Sequence, residues 1–382
     1  MARKLLIADD SALMRRLLRE LFEQKDGFEV RTVRNGAEVL AELDRFDPDI
    51  ITLDITMPVM DGLACLSRIM MQRPKPVVMV SSLTAKGAEA TLQALSLGAV
   101  DVVRKPDGTL QLSIDRFGAE LQAKVRAAAG ARVRCPAAPG QMGNERGRIV
   151  ARSEESRLGG LTGGQPGMVL VGVSTGGPAT LEEILPRLPS GFPWPVLVAQ
   201  HMPGGFTDLF ARRLDGMCAL HVVEAAQQMP VEPGTVYVAK GDADLLVVRH
   251  GSGLVAAPVP ASADHLWHPS VTRLVRSAME LMPFDRLIGV QLTGMGDDGA
   301  QAMADLHSGG GRTVAQDAAS SVVFGMPGEL VRRGGASVVM PSDRIAGQLV
   351  AWLMPSGTAP RDTPHPPTAL PPQRDQPPVR RL

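Results

Sequence analysis

A serine becomes a useful nucleophile only with a base beside it, and the stretch GVSTGGP at 172–178 offers Ser174 in a glycine-rich turn. Taken alone, the stretch admits a phosphate cradle of backbone N–H groups, an exposed nucleophile, or a plain structural turn. It lacks the lysine of a Walker-type loop, and its glycines are not spaced as GxGxxG. Its partners must decide. A serine hydroxyl needs a general base, commonly histidine, and that histidine needs a carboxylate to fix its tautomer. Of the seven histidines, His201 ends the apolar run PVLVAQH and precedes the glycine-loosened MPGGFT, which puts it on the same sheet edge as Ser174. His221, His250 and His307 adjoin helix or strand bodies, His265 and His268 fall in an irregular segment, and His365 lies close to the last residue. LTGMGDDGA ends a further apolar run in two aspartates, Asp297 and Asp298, and one carboxylate would suffice.

A second group of reactive residues stands earlier. Asp9 and Asp10 follow the run KLLIA, Asp54 ends DIITLD, Ser81 ends PVVMVS, and Lys105 follows AVDVVR. Carboxylates brought together repel one another and call for a hard divalent cation, for which Mg²⁺ with oxygen ligands is the natural occupant. Such a cation and a lysine can hold a small phosphate donor while one carboxylate attacks phosphorus, and Asp54 is the candidate nucleophile.

These residues need a scaffold that brings strand ends together. Over 1–127, five apolar runs alternate with helical patterns such as SALMRRLLRELFEQ, where Leu13, Leu17, Leu18 and Leu21 share one face, predicting a doubly wound parallel α/β sheet. In such sheets ligands sit beyond the carboxyl ends of the strands. Residues 128–165 are rich in Gly, Ala, Arg and Ser without apolar periodicity and read as a flexible linker. From 166 to 354 strands and helices alternate again, with MVLVGVS, PVLVAQH, TVYVAK, LLVVRH, RLIGVQLTG, RTVAQD and ASVVM as strands of a second, mostly parallel α/β domain of hydrolase type. Residues 355–382 hold nine prolines in 28 residues and read as an extended, disordered tail.

Composition narrows the function. At 382 residues, two domains are expected. Lys plus Arg and Asp plus Glu each number 40, so no global field attracts nucleic acid or an anionic membrane. Cys65, Cys135 and Cys218 match neither a disulfide framework nor a metal motif. No secretory or membrane-spanning apolar run occurs, so a cytoplasmic protein without membrane insertion is expected.

On LLIADDS, DIITLDITMPVMDG, VVMVSSLT and VVRKP, residues 1–127 resemble a response-regulator receiver domain. The resemblance implies a 2-1-3-4-5 strand order, phosphotransfer from a histidine kinase to Asp54, Mg²⁺ held by Asp9, Asp10 and Asp54, and phosphoryl sensing by Ser81 and Lys105. Val102 stands where many receivers carry Tyr or Phe. On GVSTGGP, QHMPGGFT, YVAKGD, LTGMGDDGA and AQDAASSVVFGMP, residues 166–350 resemble the catalytic domain of the CheB family of chemotaxis receptor methylesterases. That resemblance implies a Ser174, His201, Asp298 triad, with Asp297 at a variable position. Thr175 and backbone N–H groups near Met295 become candidates for base orientation and the oxyanion hole. It further implies hydrolysis of glutamate methyl esters and glutamine amides on chemoreceptors, by a monomer that needs no cofactor in this domain. From the linker and the charge gained at Asp54, the unmodified receiver is expected to pack against the hydrolase and shield Ser174, and phosphorylation to loosen it. The sequence departs from the family at 267–272, where Trp267, His268 and Thr272 replace the His, Arg and Asp of HRPSVD. Two other architectures compete with this reading. A DNA-binding effector fits poorly with a long α/β segment lacking a basic recognition helix, and a catalytically idle adaptor would not need the intact Ser, His and Asp.

Overall fold

Aliphatic runs buried on both faces build two parallel sheets, and the computed structural model describes residues 2–82, 85–106, 111–131 and 167–354. The tail reading at 355–382 lies outside the described residues, as does the linker reading beyond 131. At 128–131 the chain is ordered against the first domain: Ala128 ends a helix and is buried, with Ala129 and Ala131 packed on the same core.

The first sheet contains β1 (Lys4–Ala8), β2 (Glu29–Val33), β3 (Ile50–Asp54), β4 (Val77–Ser81) and β5 (Asp101–Arg104) in the order β2-β1-β3-β4-β5, all parallel. β3 and β4 are buried at every position, which explains their unbroken apolar texture: helices cover both faces. The helices are α1 (Ala12–Asp26), α2 (Gly36–Arg45), α3 (Gly62–Gln72), α4 (Ala85–Ser96) and α5 (Gln111–Ala128). Ser11 caps α1 by accepting from the Met14 N–H, and Gly27 ends it in the left-handed region at φ 64°.

The second domain holds β6 (Met168–Val173), β7 (Val196–Gln200), β8 (His221–Ala225), β9 (Met229–Pro230), β10 (Thr235–Ala239), β11 (Ala243–His250), β12 (Gly253–Pro260), β13 (Leu287–Gln291), β14 (Arg312–Gln316) and β15 (Val338–Met340). Seven form a parallel sheet ordered β15-β14-β13-β6-β7-β10-β8. Its helices are α6 (Gly177–Ile184), α7 (Thr207–Asp215), α8 (Val271–Met279), α9 (Ala300–Ser308), α10 (Met326–Arg332) and α11 (Ser342–Leu353). Two apolar clusters lie on its faces, one around Val171, Phe206 and Ile345 and the other around Leu170, Leu274 and Met303. LLVVRH departs from the expected alternation. It belongs to β11, which turns at Gly251 and Ser252 and pairs antiparallel with β12, forming with β9 a separate three-stranded sheet.

Strand order fixes where chemistry can happen. From β6 the chain runs outward to β7, whereas β13 occupies the other flank of β6, so the order reverses between β13 and β6 and leaves a crevice beyond their carboxyl ends. The two domains meet through α4, which packs on α6 and α7. Leu92 and Leu95 of α4 share one continuous apolar cluster with Met202 and Phe206. None of the described helices is long and apolar enough to cross a membrane.

Candidate active site and phosphoacceptor site

Ser174 follows the last residue of β6, and His201 follows the last residue of β7. Because Val173 is in register with Gln200, the two residues leave adjacent strands side by side, and the His201 N–H donates to the Val173 carbonyl at 3.0 Å. Gly176 takes φ 78°, a left-handed turn that swings the chain from β6 into α6 and leaves Ser174 at the bend. The third strand of the crevice, β13, leads into the loop holding Asp298. That loop passes so close to the serine that a Cβ on Gly294 would lie 2.7 Å from the Ser174 Cβ. The Thr293 carbonyl accepts from the Ser174 N–H at 2.9 Å.

Asp298 Oδ2 lies 2.9 Å from His201 Nε2. An ionised carboxylate only accepts, so Nε2 carries the proton and Nδ1 the lone pair. Nδ1 is buried without a hydrogen-bond partner among the described residues, which leaves its lone pair free. Asp298 itself is held at the N-terminus of α8: the Val271 N–H donates to Oδ2 at 2.7 Å, the Thr272 N–H to Oδ1 at 3.0 Å, and the Ser270 hydroxyl to Oδ1 at 3.3 Å. Burial alone would raise its pKa, but His201 and Thr272 outweigh burial and bring it down to about 2. The carboxylate is therefore ionised throughout the physiological range. Asp297 points elsewhere, pairing with Arg333 at 3.0 Å.

The altered segment 267–272 turns out to support this arrangement. Thr272 Oγ1 accepts from the Gly299 N–H at 2.9 Å, and His268 Nδ1 lies 2.8 Å from the fully buried carboxylate of Asp244. Three buried glutamines, each the last residue of its strand, pin the loops. Gln200 Nε2 donates to the carbonyls of Ser174 and His201 at 3.1 and 3.0 Å, Gln291 Nε2 to that of Asp298 at 2.9 Å, and Gln316 Oε1 accepts from the Thr293 N–H at 2.7 Å. Neither Asp244 nor the glutamines stood out as site residues in the sequence. The recurrence of VAQ, GVQ and VAQ at three strand ends was the available signal.

Thr175 is placed differently from its expected role in orienting the base. Its hydroxyl donates to Asp101 Oδ2 of the first domain at 2.6 Å. The reason is the docked receiver: the Gly176 N–H also donates to the Val100 carbonyl at 3.0 Å, and Asp101 is anchored from behind by the buried Lys124 Nζ at 3.0 Å. With the receiver so seated, Ser174 is only 2% exposed and His201 5%. Met295 is buried in the loop after β13, beside the Gly294 to Phe324 bridge.

In the first domain, Asp9, Asp10 and Asp54 converge, one oxygen from each lying within 4.8 Å of the others. Lys105 Nζ sits 2.8 Å from both Asp9 Oδ2 and Asp54 Oδ2. Burial raises the Asp54 pKa; Lys105 pulls against it, and Asp9 adds to the rise. The Lys105 pKa is raised as well, because its two carboxylates outweigh burial. Hard oxygens, crowded and partly desolvated, suit a small divalent cation. Ser81 is buried at the end of β4, its hydroxyl donating to the Ser82 carbonyl at 3.2 Å.

A receiver-type acidic pocket coupled to a Ser–His–Asp constellation at a sheet switch point defines a two-domain response regulator with a hydrolase-like effector. Residues 5–114 match the response regulator receiver domain and residues 169–349 match the CheB methylesterase family. A protein-glutamate methylesterase/protein-glutamine glutaminase of Rhodospirillum rubrum is 59% identical over 92% of this chain and 96% of its own length. One from Rhodopseudomonas palustris is 51% identical over 91% and 98%. The chain belongs to the CheB methylesterase family, whose relatives carry the name protein-glutamate methylesterase/protein-glutamine glutaminase.

Proposed function

We propose that the chain demethylates glutamate methyl esters on chemoreceptors, and deamidates their glutamines, under control of phosphorylation at Asp54. The observation that carries this reading is the buried imidazole of His201, fastened to Asp298 through Nε2 with Nδ1 left unpartnered among the described residues, at the end of the strand next to the one that ends before Ser174. In the mechanism, Ser174 Oγ attacks the ester carbonyl as its proton passes to His201 Nδ1. The tetrahedral adduct collapses, the C–O bond to methoxide breaks, and His201 returns the proton so that methanol leaves. Water then adds to the acyl-enzyme with His201 again as base, freeing the glutamate carboxylate and Ser174. With glutamine the leaving group is ammonia. Asp298 fixes the tautomer and stabilises the imidazolium, and N–H groups near Met295 serve the developing oxyanion.

In the receiver, Asp9, Asp10 and Asp54 would hold Mg²⁺, which when bound offsets the negative charge gathered at the phosphoacceptor. A chemotaxis histidine kinase is the phosphodonor, Ser81 and Lys105 contact the phosphoryl group, and the protein works as a cytoplasmic monomer. Phosphorylation turns the Asp54 carboxylate into an acyl phosphate that carries up to about two negative charges in place of one. Docking of the receiver on Thr175 and Gly176 closes the crevice, and the phosphorylated receiver releases it. Acetyl phosphate with Mg²⁺ is expected to raise methanol release from methylated receptors, and either a chelator or Asp54→Asn to cancel the rise. Activation that persists in Asp54→Asn contradicts this assignment.

The docking contact makes its own prediction. Asp101→Asn keeps an oxygen for Lys124 while offering Thr175 an amide instead of an acceptor. The amide can still donate to the Thr175 hydroxyl, but replacing a charge-assisted hydrogen bond by a neutral one weakens docking by up to about 10-fold. Basal methanol release of the unphosphorylated chain rises accordingly. Unchanged basal release would show that this contact does not hold the closed state.

A further inference from the structure

Trp267 lies over the imidazole of His201, the ring centroids 5.9 Å apart and the planes 17° from parallel. Its placement is built rather than incidental. The buried Asp244, at the start of β11, gathers the loop on both sides of the indole: it accepts from the Ser262 N–H at 3.1 Å, the Ser270 N–H at 2.6 Å and Arg273 Nη1 at 2.5 Å, and it meets His268 Nδ1 at 2.8 Å. The same loop supplies the Val271 and Thr272 N–H groups that fix Asp298. One carboxylate thus sets the indole over the base and the helix terminus under the acid.

We propose that Trp267 is a positioning residue for catalysis: it holds the His201 ring in plane with Asp298, excludes water from that ring face, and favours the imidazolium that forms as Ser174 attacks. This rests on the assignment of His201 as the base. An aromatic face attracts a cation far more than a neutral ring. The gain therefore appears as charge develops on His201 and falls on kcat rather than KM. Thr272, Asp298 and Gln301 join Trp267 in lining a cavity of about 250 Å³.

The test uses the phosphorylated full chain. Trp267→Ala and Trp267→Leu are expected to lower kcat for methanol release by about 10-fold with KM little changed, and Trp267→Phe to restore most of the loss. Thermal midpoints of the variants identify any that fail to fold. A second readout is independent of turnover: indole emission responds to what packs on its face, so His201→Gln changes tryptophan emission. In a Trp267→Phe background the same substitution leaves emission unchanged, because Trp194 and Trp352 do not stack on His201. Trp267→Leu turning over at the wild-type kcat overturns the proposal, as does emission that ignores His201→Gln. If instead Ser174→Ala retains turnover while the emission responds, the stack stands and the hydrolase assignment fails.

Discussion

Ser174→Ala lowers methanol release by about 10⁴-fold or more, because no other group occupies the position from which the ester carbonyl is attacked. The loss comes without damage to the fold. The backbone of Ser174 is held by the Thr293 carbonyl, the Gly177 N–H and Gln200, and none of these contacts uses the hydroxyl. Ala keeps the Cβ that faces Gly294, so the tight approach of the two loops survives. Methanol release and the thermal midpoint, measured on the same preparation, separate the two effects: the first collapses and the second stays. A fluorophosphonate probe that labels the wild type at Ser174 leaves the variant unlabelled.

Asp298→Asn is expected to cost about 10³- to 10⁴-fold in kcat through the tautomer of His201. An asparagine amide turned toward Nε2 donates rather than accepts, which moves the ring proton to Nδ1 and removes the lone pair that should receive the serine proton. The substitution also has a pH signature. Asp298 is held down to about 2 in the folded chain against an ordinary 3.8. A carboxyl lowered on folding stabilises the native state above its unfolded pKa, and that contribution disappears as pH falls through the folded value. It amounts to about 2 kcal/mol near neutral pH. Denaturant unfolding should therefore show wild type and Asp298→Asn differing at pH 7 and converging as the pH approaches 2. A constant gap across that range contradicts the assigned electrostatics.

Much of this architecture was legible because parallel sheets announce themselves locally. Runs such as DIITLD and PVVMVS are apolar on both faces, and a polar residue at the end of each marks the ligand side. Ser174, His201 and the aspartate pair stood out for the same reason. The antiparallel hairpin of β11 and β12 was less visible, since LLVVRH is as apolar as a parallel strand, and only the HGSG turn distinguishes it. The supporting contacts were illegible in another sense. Asp244 reaches residues 262–273, and Thr175 meets Asp101 across 74 positions. Such pairings depend on how sheets and domains dock, which residue types and local spacing do not encode. At 267–272 the chain departs from the family pattern, and in this chain His268 meets Asp244 and the Thr272 hydroxyl accepts from Gly299.

The most direct test is methanol release from membranes bearing methylated chemoreceptors, measured for the wild-type chain and Ser174→Ala with and without acetyl phosphate and Mg²⁺. Release by the wild type that rises with the phosphodonor and is absent from Ser174→Ala in both conditions is the predicted result. Equal release from the two proteins would contradict the account.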